Sequence, residues 1–229
     1  MGPKLVSVST CTEDKKVKAV LVICYDRPEN LELWADAWSR MNTADCKLIF
    51  IITGDIPKKE YPDYIEVIYT DNAGYSTGAV KRFIDFRDDY DELIWMPDDF
   101  LPLRADLFQL FSGADVVSTF WSVDIHPHIR TGGILMTKQV AKSLRFPPNI
   151  LQNVKETEYD VEYGEYCFYD QVVKLGHSIK MLDGTVPPNS PQWNHSEHRY
   201  IADLNLVGEG SKAVGYEYDT YKQPYACPF

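Results

Sequence analysis

The chain has 229 residues, the size of one ordinary domain or two small ones. Asp plus Glu (34) outnumber Lys plus Arg (23), which gives a formal charge of −11, and hydrophobic residues make up 45% of the chain. That balance excludes the disordered, collagen-like and coiled-coil classes. No dense Lys/Arg run offsets the acidic field, so nucleic acid and anionic membrane are not expected partners.

No apolar run approaches the roughly 20 residues of a membrane-spanning helix, and residues 1–18 lack the apolar core of a secretory signal. The 5 cysteines (Cys11, Cys24, Cys46, Cys167 and Cys227) are odd in number and form no Cys-x-x-Cys pair. This is the pattern of a reduced, cytoplasmic protein rather than of a disulfide framework or a zinc knuckle.

Residues 1–16 read as an N-terminal arm. Residues 17–24 form a nearly continuous apolar run, the signature of a strand buried on both faces of a parallel sheet. Asp26 is placed to cap a following helix with Pro28 in its first turn, and Leu31, Trp34, Trp38 and Met41 share one face of it. Further buried strands are expected at 48–52, 65–69 and 92–96. A helix is expected over 76–88, with Val80, Phe83 and Ile84 on one side.

The second half predicts a helix over 103–111, a fifth strand over 115–121, and a sixth over 133–136 followed by a short helix from 137 to 144. A helix over 165–175 closes at Gly176, and a last strand covers 178–182. Strands alternating with helices specify an α/β fold, a single-domain α/β/α sandwich with a mostly parallel central sheet. The domain spans 17–200, and 201–229 forms a Tyr-rich tail packed on it.

In an open α/β sheet, ligands bind beyond the carboxyl ends of the strands. Those ends carry Cys24-Tyr25-Asp26-Arg27, then Thr53-Gly54-Asp55, then Asp71-Asn72-Ala73-Gly74, then Asp98-Asp99. Singly, each reads as a turn, because Asp, Asn and Gly form turns. Together they bring carboxylates to one rim. Adjacent carboxylates after a buried strand repel each other unless a cation sits there, and hard divalent ions take oxygen ligands.

The order of these elements, with Asn72-Ala73-Gly74 and Ala79-Val80-Lys81-Arg82 before Leu93-Ile94-Trp95-Met96-Pro97-Asp98-Asp99, resembles the nucleotide-sugar half of GT-A glycosyltransferases. In that family an apolar strand ends in Asp-x-Asp or Asp-Asp-Asp, and the last Asp holds a metal on the donor diphosphate. Here Pro97 replaces the first carboxylate. The resemblance implies a metal, Mn²⁺ or Mg²⁺, on Asp99, with His195 as a further ligand. It implies donor contacts from Cys24, Tyr25, Asp26, Arg27, Asp55, Asn72 and Asp98, and from Lys81 or Arg82.

Thr131-Gly132-Gly133-Ile134-Leu135-Met136 is similar to the strand bordering the acceptor site, so Gly132 and Gly133 fall on the acceptor side. Glu165 matches the base of inverting members, and Asp170-Gln171 resembles the pair found in retaining members. An amphipathic helix with Phe168, Val172 and Leu175 inward and Glu165 solvated explains the same segment without catalysis. The 17–100 half then takes the nucleotide sugar and the 101–200 half the acceptor.

The implied activity is metal-dependent transfer of a sugar from a nucleotide-diphosphate sugar to the hydroxyl of a glycan or glycoconjugate. A sugar-phosphate nucleotidyltransferase would need a Gly-rich loop after the first strand, and Cys24-Tyr25-Asp26-Arg27-Pro28 contains no glycine. A non-catalytic sugar or protein binder on the same fold is the other alternative, motivated by the shortened Asp motif and the abundant Tyr and Trp.

Overall fold

The computed structural model describes residues 16–119, 121–122, 128–129, 132–152, 160–162, 164–182 and 201–203. The elements in the first half are β1 (Lys18–Cys24), α1 (Pro28–Trp38), β2 (Cys46–Thr53), β3 (Ile65–Thr70), α2 (Tyr75–Phe86), β4 (Glu92–Pro97) and β5 (Phe100–Pro102). The second half contributes α3 (Leu107–Leu110), β6 (Val116–Ser118), β7 (Trp121–Ser122), β8 (His128–Ile129), β9 (Ile134–Thr137), α4 (Lys138–Ser143), α5 (Phe168–Lys174), β10 (Ile179–Met181) and β11 (Ile201–Asp203).

One 7-stranded sheet runs in the order β10-β6-β9-β4-β1-β2-β3. β3, β2, β1 and β4 are mutually parallel, β9 is antiparallel to both β4 and β6, and β10 is parallel to β6. The expected mostly parallel α/β/α sandwich is therefore present, with β9 as its reversed strand.

The apolar runs bury both faces. Leu21 and Ile23 of β1 join Val80 and Phe83 of α2, Val140 of α4, and Phe168 and Val172 of α5. Val20 and Val22 join Leu31, Trp34 and Trp38 of α1 and Phe108 of α3 on the other side. Burial of each such large side chain stabilises the fold by about 1.5–3 kcal/mol.

Several expectations are corrected. Arg27, not Asp26, holds the N-cap position of α1 and makes no side-chain capping bond; Pro28 opens the helix, where its missing N–H costs nothing. The helix expected over 103–111 shrinks to α3. Just before it, Phe100–Pro102 pairs antiparallel with Ile201–Asp203, a contact distant in sequence and invisible to local patterning. The strand expected over 115–121 is divided into β6 and β7.

The last helix begins at Phe168 rather than at residue 165, so Glu165 lies in the preceding turn. Leu175, expected inward, is 52% exposed because it follows the final helical residue. Among the described residues, no helix is long and apolar enough to cross a membrane.

Candidate active site at the strand ends

The register sets the site. Cys24 of β1 lies opposite Ile52 of β2, Thr53 opposite Thr70 of β3, and Ile23 opposite Pro97 of β4. Parallel strands of matched length end at one level, so the polar segments that follow them emerge side by side. An open cleft of about 850 Å³ lies there, lined by Tyr25, Asp26, Gly54, Asp55, Ile56, Tyr69, Thr70, Asp71 and Asn72. Tyr25, Asp26, Asp55 and Asn72, singled out from sequence, thus share one cavity.

Thr53 ties these ends together. Its hydroxyl shares one proton between Asn72 Oδ1 at 2.9 Å and the Cys24 carbonyl at 3.3 Å. Thr53 is 1% exposed and its bond to the Cys24 carbonyl is buried, so that carbonyl would otherwise lack a partner for this lone pair. Sequence reading placed it in the polar cluster that follows the second strand and gave it no role of its own. Thr53→Val keeps the shape and removes the donor. It is expected to lower stability by about 1–2 kcal/mol, read by thermal unfolding.

Gly54, at φ +87°, turns the chain sharply, and its N–H donates to the Thr70 carbonyl at 3.0 Å. A Cβ there would meet the Tyr25 ring at 3.4 Å. Tyr25 is 51% exposed and meets Tyr75 edge to face, with ring centroids 6.3 Å apart. Tyr75 has φ +48°, a left-handed conformation that costs a non-glycine residue of order 1–3 kcal/mol and is typical of functional sites. That strain holds an aromatic ring at the head of α2 against the wall of the cleft, and no sequence signal marked it.

The basic residues of α2 hold the scaffold. Arg82 donates through Nη2 to Asp71 Oδ1 at 2.5 Å and through Nη1 to the Ala73 carbonyl at 3.3 Å, and Ala73 N–H donates to Asp71 Oδ1 at 3.0 Å. These bonds brace the 71–74 loop and keep the Asp71 carboxyl below its ordinary range, the Ala73 bond most of all. Lys81 pairs with Asp85 one turn along and lies 5.6 Å from the Phe146 ring centroid, away from the residues that line the cleft. Arg27 stands at the head of α1 and does not line the cleft either.

On the other side of β1, Asp98 and Asp99 follow β4. Asp98 accepts from Asn30 Nδ2 at 3.2 Å and from the Cys24 thiol, and its own carbonyl accepts from Trp34 Nε1 at 3.1 Å. Burial and the neighbouring Asp99 charge raise the Asp98 carboxyl to about 6, against the lowering effect of these donors. The same burial pushes the Cys24 thiol strongly up, so it is an inert donor and not a nucleophile. Asp99 is half-buried beside this pair and is not among the cleft-lining residues.

The paired carboxylates supply hard oxygen donors suited to Mg²⁺ or Mn²⁺. No cluster of His, Cys, Asp or Glu large enough to complete a metal site occurs among the described residues. His195 lies outside them.

Gly132 and Gly133 pack directly behind this corner. A Cβ on Gly132 would lie 3.1 Å from Pro97 Cδ, and one on Gly133 would lie 2.1 Å from Thr119 Oγ1. Gly133 also has φ +59°. Gly133→Ala is expected to destabilise the protein by more than about 2 kcal/mol, combining left-handed strain and overpacking. Adding Thr119→Ala should return part of that loss in chemical denaturation, because it removes the two closest contacts but leaves Thr119 Cβ at 3.1 Å and the strain in place.

Glu165 and Asp170 are both exposed and neither lines the cleft, Asp170 standing in the first turn of α5. Phe168 carries α5 against β4, 6.2 Å from the Trp95 ring.

No protein-family model and no curated protein sequence matches the chain. Solved structures do. The glycosyltransferase TarS of S. aureus superposes with a TM-score of 0.51 at 10% identity, over 92% of this chain and 42% of TarS. The fold is that of a GT-A glycosyltransferase.

The galactosyltransferase LgtC, solved with donor and acceptor sugar analogs, matches at 11% identity and a TM-score of 0.49, over 72% of this chain and 73% of its own. The catalytic domain of Drosophila β1,4-galactosyltransferase 7, in complex with xylobiose, matches at 12% identity and a TM-score of 0.47, over 92% of this chain and 80% of its own. At such identities the likeness is one of architecture, and the chain spans less than half the length of TarS.

Proposed function

We propose that the chain is a metal-dependent glycosyltransferase that moves a sugar from a nucleotide-diphosphate sugar to an acceptor hydroxyl of a glycan or glycoconjugate. One observation carries the reading: an aromatic-flanked cleft at the ends of β1–β3 sits beside a semi-buried carboxylate pair at the end of β4. The nucleoside enters the cleft against Tyr25, with Asp26, Asp55 and Asn72 taking its hydrogen-bond donors. Asp99, with Asp98 behind it, holds a divalent cation, Mn²⁺ or Mg²⁺, which when bound neutralises the negative charge that develops on the departing diphosphate.

Asn30, Trp34 and Cys24 keep Asp98 fixed, so the pair meets its cation without reorganising. Gly132, close against Pro97, and Gly133, close against Thr119, stand on the acceptor side. Glu165 or Asp170 takes the acceptor proton if the anomeric centre inverts. Calorimetry with nucleoside diphosphates, with and without Mn²⁺, tests this reading. Metal-dependent binding, followed by turnover of a nucleotide sugar, supports it. Binding of sugars without any nucleotide binding would favour a non-catalytic binder instead.

A further inference from the structure

We infer that the cleft selects a guanine nucleotide over a uracil one, and the inference rests on the proposed reading of the cleft as a nucleoside site. The walls differ in how far their carboxylates are already engaged. Asp71 is committed to Arg82 and to the Ala73 N–H. Asp26 and Asp55 have no hydrogen bond or ion pair with any described residue, yet both line the cavity. Lys58 stands over the Tyr69 ring, 5.6 Å from its centroid, and bonds to neither carboxylate.

An ionised carboxylate only accepts hydrogen bonds. A ligand moiety facing Asp26 and Asp55 must therefore bring N–H or O–H donors and no negative charge, which suits the base; the diphosphate then belongs at the β4 end only through the cation proposed there.

The bases differ in the donors they offer. Guanine presents N1–H and the exocyclic N2–H side by side, a pair that matches the two oxygens of one carboxylate as a charge-assisted fork. Uracil presents a single N–H between two carbonyl oxygens, which the carboxylate repels. Cytosine and adenine present an amino donor beside a ring acceptor and gain one bond at most. A site that supplies acceptors in pairs discriminates against a base lacking the second donor, because an oxygen desolvated without a partner is costly. With either Asp26 or Asp55 on the base, the other is left for the ribose hydroxyls.

The test is calorimetry of GDP, UDP, CDP and ADP against the full chain in excess Mn²⁺, repeated with Asp26→Asn and Asp55→Asn. Both residues are exposed, so neither substitution threatens folding. GDP is expected to bind at least about tenfold tighter than UDP, the scale of one charge-assisted hydrogen bond. One of the two variants should bring that ratio close to unity, because a neutral amide both donates and accepts and so makes two hydrogen bonds with either base. UDP binding as tightly as GDP to the unaltered protein overturns the selection and leaves the nucleoside site standing. A GDP preference that survives both substitutions shows that these carboxylates do not read the base. Failure of every nucleotide to bind removes the proposed function itself.

Discussion

Asp99→Asn is expected to reduce sugar transfer on the order of 10²–10³-fold while leaving the fold intact. The substitution keeps the volume and removes the charge. Asp99 belongs to neither hydrophobic cluster, and removing its charge relieves its repulsion of the Asp98 carboxylate, so the fold should persist. What it loses is the second of two adjacent anionic donors at the end of β4. A divalent cation held by one carboxylate and a neutral amide is held weakly, and charge growing on the diphosphate then goes uncompensated. Nucleoside-diphosphate affinity in the variant should lose most of its dependence on Mn²⁺. Asp63→Asn, on the exposed segment between β2 and β3, serves as the control that removes a carboxylate elsewhere. Turnover of Asp99→Asn at the unaltered rate would refute the assignment of the cation to this corner.

The parts of this site legible in the sequence are those written into continuous apolar runs. β1, β2 and β4 are long, buried on both faces and paired in parallel, so their ends, and the polar residues that follow, had to reach one rim together. Tyr25, Asp26 and Asp55 share one cleft for that reason, and Asn72 joins them from the end of β3. The reversal of β9 was not legible. Ile134–Thr137 is short and apolar, and its direction depends on which neighbours it meets, here β4 and β6. The ladder of β5 with β11 joins residues about a hundred positions apart, beyond the reach of any local pattern.

Helix ends failed for a different reason. Glu165 stands at a helical distance from Phe168 and Val172, yet the helix starts only after Cys167. The Cys167 thiol donates to the Glu162 carbonyl at 2.9 Å, so the chain before Phe168 is held in a turn. Spacing on a helical wheel shows which residues could share a face, but not where the helix begins. Thr53 and Tyr75 were missed because their contribution is geometric. A hydroxyl bridging adjacent strands and a tyrosine in a left-handed conformation leave no trace in composition or period.

The buried partner of the carboxylate pair leads to a second large effect, of opposite sign on stability and activity. Asp98→Asn is expected to stabilise the protein at pH 7.5 and to impair transfer. In the folded chain the Asp98 carboxyl is raised from an ordinary 3.8 to about 6, chiefly by burial and next by the charge of Asp99. The native state therefore holds this proton more tightly than the unfolded chain does. Below about pH 4 both states are protonated and ionisation costs nothing. As pH rises from about 4 to about 6 the unfolded chain releases the proton first, and stability falls. Above about 6 the full penalty is present, on the order of 3 kcal/mol for a shift of this size.

Asparagine does not titrate, and its side-chain oxygen can still accept from Asn30. In the presence of a chelator the variant should unfold roughly 5–10 °C above the wild type at pH 7.5 and close to it at pH 4. Transfer should fall because Asp99 then faces its cation alone. A thermal advantage of equal size at both pH values would show that the gain comes from packing. A loss of stability at pH 7.5 would show that the Asp98 carboxylate is compensated in place, by its hydrogen bonds to Asn30 and Cys24, and that its ionisation opposes folding less than its burial implies.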